Sequence, residues 1–177
     1  MRVLEAGILP DSEIYFYEPS QFAMRVLFGL QHIGIFHCDQ RYIVTHPYWE
    51  SILMIFMDEG RLETEYNGQR FVAEAGDIVL IDCRHQHRYR ALSDLRFHYF
   101  HFSGHPSAAY CSLIYDMFGG ALLKGLCSEN MQSIFNQIMM IVRSKISLEN
   151  EHRISVYIHM ILCSIIEDQS KVTHGSA

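Results

Sequence analysis

The sequence has no apolar run long enough to cross a membrane, and it has little positive charge. Its longest apolar runs, such as residues 51–57, fall far short of the roughly 20 residues that a bilayer requires. The 14 lysines and arginines are outnumbered by 20 aspartates and glutamates, for a net charge of −6. Because neutralised phosphates supply most of the affinity for nucleic acids, this chain alone is not expected to hold DNA.

Markers of disulfides, zinc ribbons and secretion are also missing. The five cysteines are odd in number, widely spread and without a Cys-x-x-Cys pair, which favours reduced thiols. No basic segment followed by an apolar one opens the chain. A hydrophobic fraction of 49% excludes disorder. These features predict a soluble, cytoplasmic chain of 177 residues, which is the size of one domain.

Motifs that would mark an enzyme are absent as well. The sequence contains no Gly-x-Ser-x-Gly nucleophile motif, no phosphate-binding loop and no Gly-x-Gly-x-x-Gly run, so no cofactor and no catalytic residue are predicted. Its 11 histidines invite a metal site, but their spacing does not bring together the three or four ligands that such a site needs. No metal is therefore predicted.

The periodicity of the apolar residues changes near residue 105. Before it, short runs of alternating apolar residues are separated by turn residues such as 58–60 and the Asn67-Gly68 pair. These runs predict strands at 26–28, 33–36, 42–44, 52–57, 62–66, 70–73, 78–81 and 97–102. Many short strands at this spacing favour a sandwich or a barrel.

After Gly104 the pattern becomes helical. Helices are predicted at 106–118, from Ser128 onward, and over about 151–168. The third helix carries isoleucines at spacings of 4, 3 and 4, namely Ile154, Ile158, Ile161 and Ile165. Such a stripe is typical of core packing, but it also suits a seam between two copies of the chain. Both interpretations can hold for one helix.

The segment 96–102 is unusually rich in aromatic and polar side chains. Alternation along a strand places Phe97, Tyr99 and His101 on one face and His98, Phe100 and Phe102 on the other. One set should pack under the helices, and the other could line a barrel interior as a pocket for a small molecule. The alternative is that all these rings belong to a filled core.

Several segments, taken in order, resemble one known family. They are Glu59-Gly60, 66–71, 75–82, His87-Arg88-Tyr89 and 100–104. The series resembles the effector-binding, cupin-like N-terminal domain of AraC-type transcriptional regulators, over about residues 20–104. The resemblance implies an α+β fold, a cupin-like double-stranded β-helix (jelly-roll barrel) followed by C-terminal dimerisation helices.

The same resemblance implies a domain organisation and a function. Residues 1–19 would be an N-terminal arm, 20–105 the effector-binding barrel and 106–170 the helical dimerisation segment. The protein would be the regulatory domain of a transcription factor, which binds a sugar or a similar polar metabolite and forms a homodimer through the four isoleucines. It would act on DNA only through a C-terminal helix-turn-helix domain that is absent from this chain, and not at a membrane.

The family's ligand-binding positions can be matched to this sequence one by one. Tyr89 falls at the pocket tyrosine, and Tyr99 falls at the stacking aromatic, with Phe97 on the same face. His46 falls where many members carry an arginine that grips sugar hydroxyls; histidine donates fewer hydrogen bonds, which argues against a pentose-like ligand. The predicted ligand-binding residues are therefore His32, His46, His87, Tyr89, Phe97 and Tyr99.

A small metal-dependent cupin enzyme acting on a sugar or an aromatic acid is the alternative. Metal-binding cupins carry a His-x-His pair and a glutamate early in the barrel, and one more histidine after the Gly-Asp turn. His87 matches that last histidine, but His46 and Glu50 around Tyr48 do not reproduce the earlier set. One ligand of four favours a binding domain over an enzyme. A third interpretation is a structural domain with a filled barrel.

Overall fold

The computed structural model describes residues 6–46, 48–144 and 147–174. Within them the chain forms two sheets and four helices. The strands are β1 (Glu13–Phe16), β2 (Gly29–Cys38), β3 (Ile43–His46), β4 (Ile52–Glu59), β5 (Arg61–Tyr66), β6 (Gln69–Glu74), β7 (Ile78–Asp82), β8 (His87–Ala91), β9 (Leu95–Ser103) and β10 (Leu122–Leu123). The helices are α1 (Gln21–Val26), α2 (Ser107–Phe118), α3 (Glu129–Arg143) and α4 (Leu148–His174).

The two sheets are antiparallel and lie face to face. The larger sheet has the strand order β1-β2-β9-β4-β7-β10, and the smaller has the order β3-β8-β5-β6. Side chains of both sheets form one apolar cluster between them, whereas the outer face of the larger sheet packs against α2, α3 and α4. This arrangement confirms the predicted α+β class and the cupin-like barrel followed by C-terminal helices.

The strands β4 and β9 are buried on both of their faces. Residues 52–57 of β4 are apolar without interruption, because one face of the strand lines the barrel interior and the other packs against the helices. In β9, Phe97 and Tyr99 face the barrel interior, whereas Phe100 and Phe102 pack under the helices. The division of the two faces predicted from the alternation is confirmed.

The starts of α2 and α3 agree with the sequence pattern, whereas α4 (Leu148–His174) extends beyond the predicted 151–168 at both ends, and one predicted strand is wrong. The α2 helix ends at Gly119 in the left-handed conformation, and the hydroxyl of Ser128 accepts a hydrogen bond from the amide of Met131 at 3.3 Å as the cap of α3. Residues 26–28 do not form the predicted strand. Val26 ends α1, since a cap at Ser20 starts a helix that the short apolar run does not reveal. The strands β1, β8 and β10 are not among the predicted ranges.

The isoleucine stripe of α4 lies inside the chain's own core. Ile154, Ile158, Ile161 and Ile165 are at most 1% exposed and pack with α3 and the outer face of the larger sheet. The opposite face of the helix presents Val156 and Met160, which are 57% and 45% exposed. A contact between two copies through α4 would therefore use this second face, because the isoleucines are already covered.

The described residues show no helix with both the length and the apolar character to span a bilayer.

The five cysteines are free thiols. Burial raises the pKa of Cys38, Cys83 and Cys111 to about 12, and nearby acidic groups add to this. These three thiols are therefore poor nucleophiles at neutral pH.

A buried carboxylate connects the first turn of α4 to the start of α1. Glu151 is 7% exposed and accepts hydrogen bonds from the amide and the hydroxyl of Ser20, at 2.6 and 2.7 Å. The same hydroxyl accepts a bond from the amide of Ala23 and so caps α1. The side chain of Glu151 therefore connects the long helix α4 to the start of the short helix α1.

Replacing Glu151 with alanine should lower the free energy of unfolding by about 1–3 kcal/mol, because the half-buried amide and hydroxyl of Ser20 lose their acceptor. Urea unfolding of the variant and the parent measures this. The matched control is Glu149→Ala, since Glu149 is an exposed acid in the same helical turn. Equal stability of the two variants would contradict a role for the Ser20 contact.

Candidate ligand-binding site

The barrel interior is lined by a cluster of aromatic rings. The ring centre of Phe36 of β2 lies 5.7 Å from that of Phe97 and 4.9 Å from that of Tyr99, both of β9. Tyr42 completes the cluster, since its ring lies 5.9 Å from Phe97 and 6.1 Å from Tyr89 of the smaller sheet. All five side chains are buried. The structure thus brings together three of the predicted residues: Tyr89, Phe97 and Tyr99.

A stack of three flat rings closes one end of this cluster. His32 of β2 lies 4.0 Å from His101 of β9, and Trp49 stacks 4.9 Å from each of them. The Nδ1 atom of His101 is within hydrogen-bond distance, 2.8 Å, of the hydroxyl of Ser51. His32 also meets the ring of Tyr99 edge-on at 5.7 Å. The predicted residue His32 therefore lies at the mouth of the aromatic cluster.

His87 lies at the same end of the barrel. It begins β8 after a short connection from β7, and its ring stacks 6.2 Å from that of Tyr89. Its Nδ1 atom is 2.9 Å from the carbonyl oxygen of His85, which orients the ring. His46 pairs with His87 through the backbone of β3, whereas its side chain lies outside the described residues.

A polar cleft of about 560 Å³ opens beside His87. The turn between β5 and β6 and the connection before β8 form its walls. Arg70 and Arg88 both form ion pairs with Glu65 at its outer side, at 2.8 and 3.1 Å. Basic and amide side chains thus line this cleft. His87 also lines it, and the ring of His87 stacks on that of Tyr89 in the aromatic cluster.

A polar group of β5 inside the barrel, the hydroxyl of Thr64, has no partner among the described residues. Thr64 of β5 is fully buried, and its hydroxyl makes no hydrogen bond. It lies directly across from Tyr89 in the neighbouring strand. Because an unsatisfied buried hydroxyl costs free energy, this position is suited to a ligand that hydrogen-bonds it.

The environment of the cluster keeps the hydroxyl of Tyr42 neutral. Burial raises the pKa of Tyr42 well above its ordinary value, and the neighbouring Tyr89, Cys38 and Tyr99 add to the rise. Among the described residues, no group of three or more histidine, cysteine, aspartate or glutamate side chains is placed to hold a metal ion. The interior can therefore stack flat or C–H surfaces and exchange neutral hydrogen bonds.

Four residues of this site were missed from the sequence: Phe36, Tyr42, Trp49 and Thr64. Thr64 could have been found, because alternation in β5 places Leu62, Thr64 and Tyr66 on the face opposite to the charged Glu63 and Glu65. Trp49 carries no such signal, since it lies in a connection and reaches His32 and His101 only through the tertiary fold.

Comparison with known proteins gives one family. The family described as the AraC-like ligand binding domain matches residues 32–162. A search of curated proteins gave no match.

Solved structures that are similar to the chain include KdgF from Halomonas sp., at 17% identity and a TM-score of 0.45, over 61% of this chain and 88% of that one. YhaK from Escherichia coli is 14% identical, with a TM-score of 0.47, over 54% of this chain and 45% of that one. A cupin 2 conserved barrel domain protein from Leptotrichia buccalis is 14% identical, with a TM-score of 0.44, over 58% and 44%. The chain thus spans less than half the length of the last two.

Replacing Thr64 with valine should stabilise the ligand-free protein by about 1 kcal/mol, because the buried hydroxyl has no partner to lose. Thermal unfolding measures this as a rise of about 2–4 °C. The control is Thr45→Val, since Thr45 is an exposed threonine of β3. A clear loss of stability at residue 64 would show that its hydroxyl is already satisfied.

Proposed function

The chain belongs to the family of AraC-like ligand binding domains, and from this we propose that it is the regulatory domain of a transcription factor, whose barrel binds a sugar or a similar polar metabolite. The observation that carries the proposal is the unpartnered hydroxyl of Thr64 within a barrel lined by aromatic rings. A sugar stacks a C–H face on such rings and directs its hydroxyls toward polar atoms.

The polar mouth of the barrel supports the same ligand class. His32, His101 and Trp49 present flat rings above the cluster, and His87 borders the polar cleft beside it. A ligand entering there would meet hydrogen-bonding groups first and aromatic surfaces last. We propose His32, His46, His87, Tyr89, Phe97 and Tyr99 as its contacts, together with Thr64.

We further propose that two copies of the chain pair through the exposed face of α4. Val156, Met160 and Cys163 are spaced at 4 and 3 residues, so they form one apolar strip on the surface of the helix. Regulation of DNA would then need a separate DNA-binding domain, since this chain carries a net charge of −6.

The ligand proposal is tested by a thermal-shift screen of the chain against neutral sugars, sugar phosphates and divalent metals. A ligand present at about 100 times its dissociation constant should add roughly 2.7 kcal/mol of stability, which moves the midpoint of thermal unfolding by several degrees.

Replacing Tyr89 with phenylalanine should weaken binding of the best sugar by about tenfold, because the ring remains and the hydroxyl contact is lost.

The matched control for this substitution is Tyr157→Phe. Tyr157 is a half-buried tyrosine of α4 that packs against the apolar cluster between the larger sheet and the helices. The control variant should leave the affinity unchanged. A shift with a metal and with none of the sugars would instead favour the metal-dependent enzyme. Full affinity in the Tyr89→Phe variant would remove this tyrosine from the site.

Replacing both Val156 and Met160 with glutamate should convert the dimer into monomers, because the charges would be buried at the proposed contact. Sedimentation velocity over a range of concentrations measures this. The control is Leu113→Glu, since Leu113 is an exposed apolar residue on a different helix, 46% exposed. A dimer that persists in the double variant would place the contact elsewhere.

A further inference from the structure

A second cleft, of about 540 Å³, lies at the rim of the barrel and outside the ring cluster. It is formed by α1, the start of β4, the end of β9 and the first turn of α2. The residues that give it its chemistry are Arg25, Glu50, Ser51, Arg84, His105 and Ser107. None of these six belongs to the aromatic cluster described above.

The first turn of α2 brings one unbonded backbone amide, that of Ala108, to this cleft. The helix has 12 residues, and Pro106 at its cap position makes no side-chain hydrogen bond. The amide of Ser107 donates to the carbonyl of Gly104, and the helical pattern begins with the bond from Tyr110 to Pro106. The amide of Ala108, which lines the cleft, lies between them in the uncapped first turn. Such a turn attracts negative charge.

An independent observation points to a ligand at the same place. Ser107 lines the cleft and is only 3% exposed, yet its hydroxyl makes no hydrogen bond to any residue that the structure describes. A buried hydroxyl without a partner is costly, and an acceptor atom placed beside it would recover that cost.

Two arginines, Arg25 and Arg84, and one acid, Glu50, are the charged side chains that line the cleft. Arg25 is exposed in the last turn of α1, and His105 precedes α2. Arg84 is held by Asp82, whose Oδ1 atom accepts from the Nε atom of Arg84 at 2.8 Å. Burial alone would raise the pKa of Asp82, but the hydrogen bonds from Arg84 outweigh it and lower that pKa. Glu50 is the acidic residue that lines the same cleft.

The backbone before α2 is fixed in position. Gly104 has a φ of +114°, and a Cβ atom there would lie 2.0 Å from the carbonyl oxygen of Leu27. Because Gly104 has no side chain, the backbone before α2 can lie close to Leu27, at the junction between α1 and β2. The donors of α2 and the guanidinium of Arg25 are therefore carried by elements that are in direct contact.

We propose that this cleft binds an oxyanion, the phosphate or carboxylate group of a small metabolite, at the first turn of α2. The anion would accept from the amide of Ala108 and the hydroxyl of Ser107, and it would be attracted by Arg25 and Arg84. Ser51 lines the cleft and contacts His101 of the barrel mouth at 2.8 Å, so the two sites share a wall. The site does not require that the barrel be occupied.

Calorimetric titration of the chain with inorganic phosphate, at constant ionic strength set with sodium chloride, tests the proposal. Saturable binding is expected. Arg25→Gln should weaken it about tenfold through the loss of a charge-assisted contact. Ser107→Ala should weaken it about fivefold, and it should not lower the unfolding temperature of the ligand-free protein, since the hydroxyl has no partner there.

Two further variants separate this site from general attraction of charge. Glu50→Gln should tighten phosphate binding about threefold, because a repulsive carboxylate is removed. Arg61→Gln makes the same change of charge as Arg25→Gln, and it should leave the affinity unchanged. Arg61 is the first residue of β5 and follows the end of β4, whereas the cleft lies at the start of β4. Equal loss in the two arginine variants would overturn the proposal.

A parallel titration with acetate distinguishes the two sources of the anion. Saturation by acetate alone assigns the site to a carboxylate, and saturation by phosphate assigns it to a phosphate group. Absence of saturation with both anions would overturn the proposal, as would affinity retained in the Arg25→Gln/Ser107→Ala double variant. Because these titrations contain no sugar, their failure is distinct from a failure of the proposed effector site.

Discussion

The structure depends on the burial of β4 and β9 on both of their faces. These neighbouring strands form the middle of the larger sheet, and each must exclude water on the barrel side and on the helix side. The barrel interior is complete only when the smaller sheet covers one face, and the outer face is covered only when α2, α3 and α4 pack on it. The helices are therefore an integral part of the fold and cannot be removed without exposing the sheet.

The proposed binding sites lie at one end of this arrangement. At the end of the barrel where β4 begins and where β7 and β9 end, the connections β3–β4 and β7–β8 cross between the sheets. The stacked rings of His32, Trp49 and His101, the cleft beside His87 and the cleft at α2 all lie at this end. The binding sites that we propose thus share one rim of the barrel, with apolar rings below it.

Much of the barrel could be predicted from the sequence, because alternation reports which side of a strand is buried. The faces of β9 and the caps of α2 and α3 follow from local patterns. The strand predicted at 26–28 was wrong because a short apolar run does not distinguish a strand from the end of a helix. Trp49 and Ser107 were not predicted as binding residues, since their surroundings come from segments distant in the chain.

The sequence by itself determined the periodicities: which residues alternate along the strands, which apolar residues share a helix face, and where caps and turns interrupt them. Only the tertiary structure decided what each apolar face meets. The isoleucines of α4 could serve a core or a second copy, and packing against α3 and the larger sheet placed them in the core. The physical reason is that hydrophobic burial has no direction of its own; the covering surface is chosen by long-range contacts between elements.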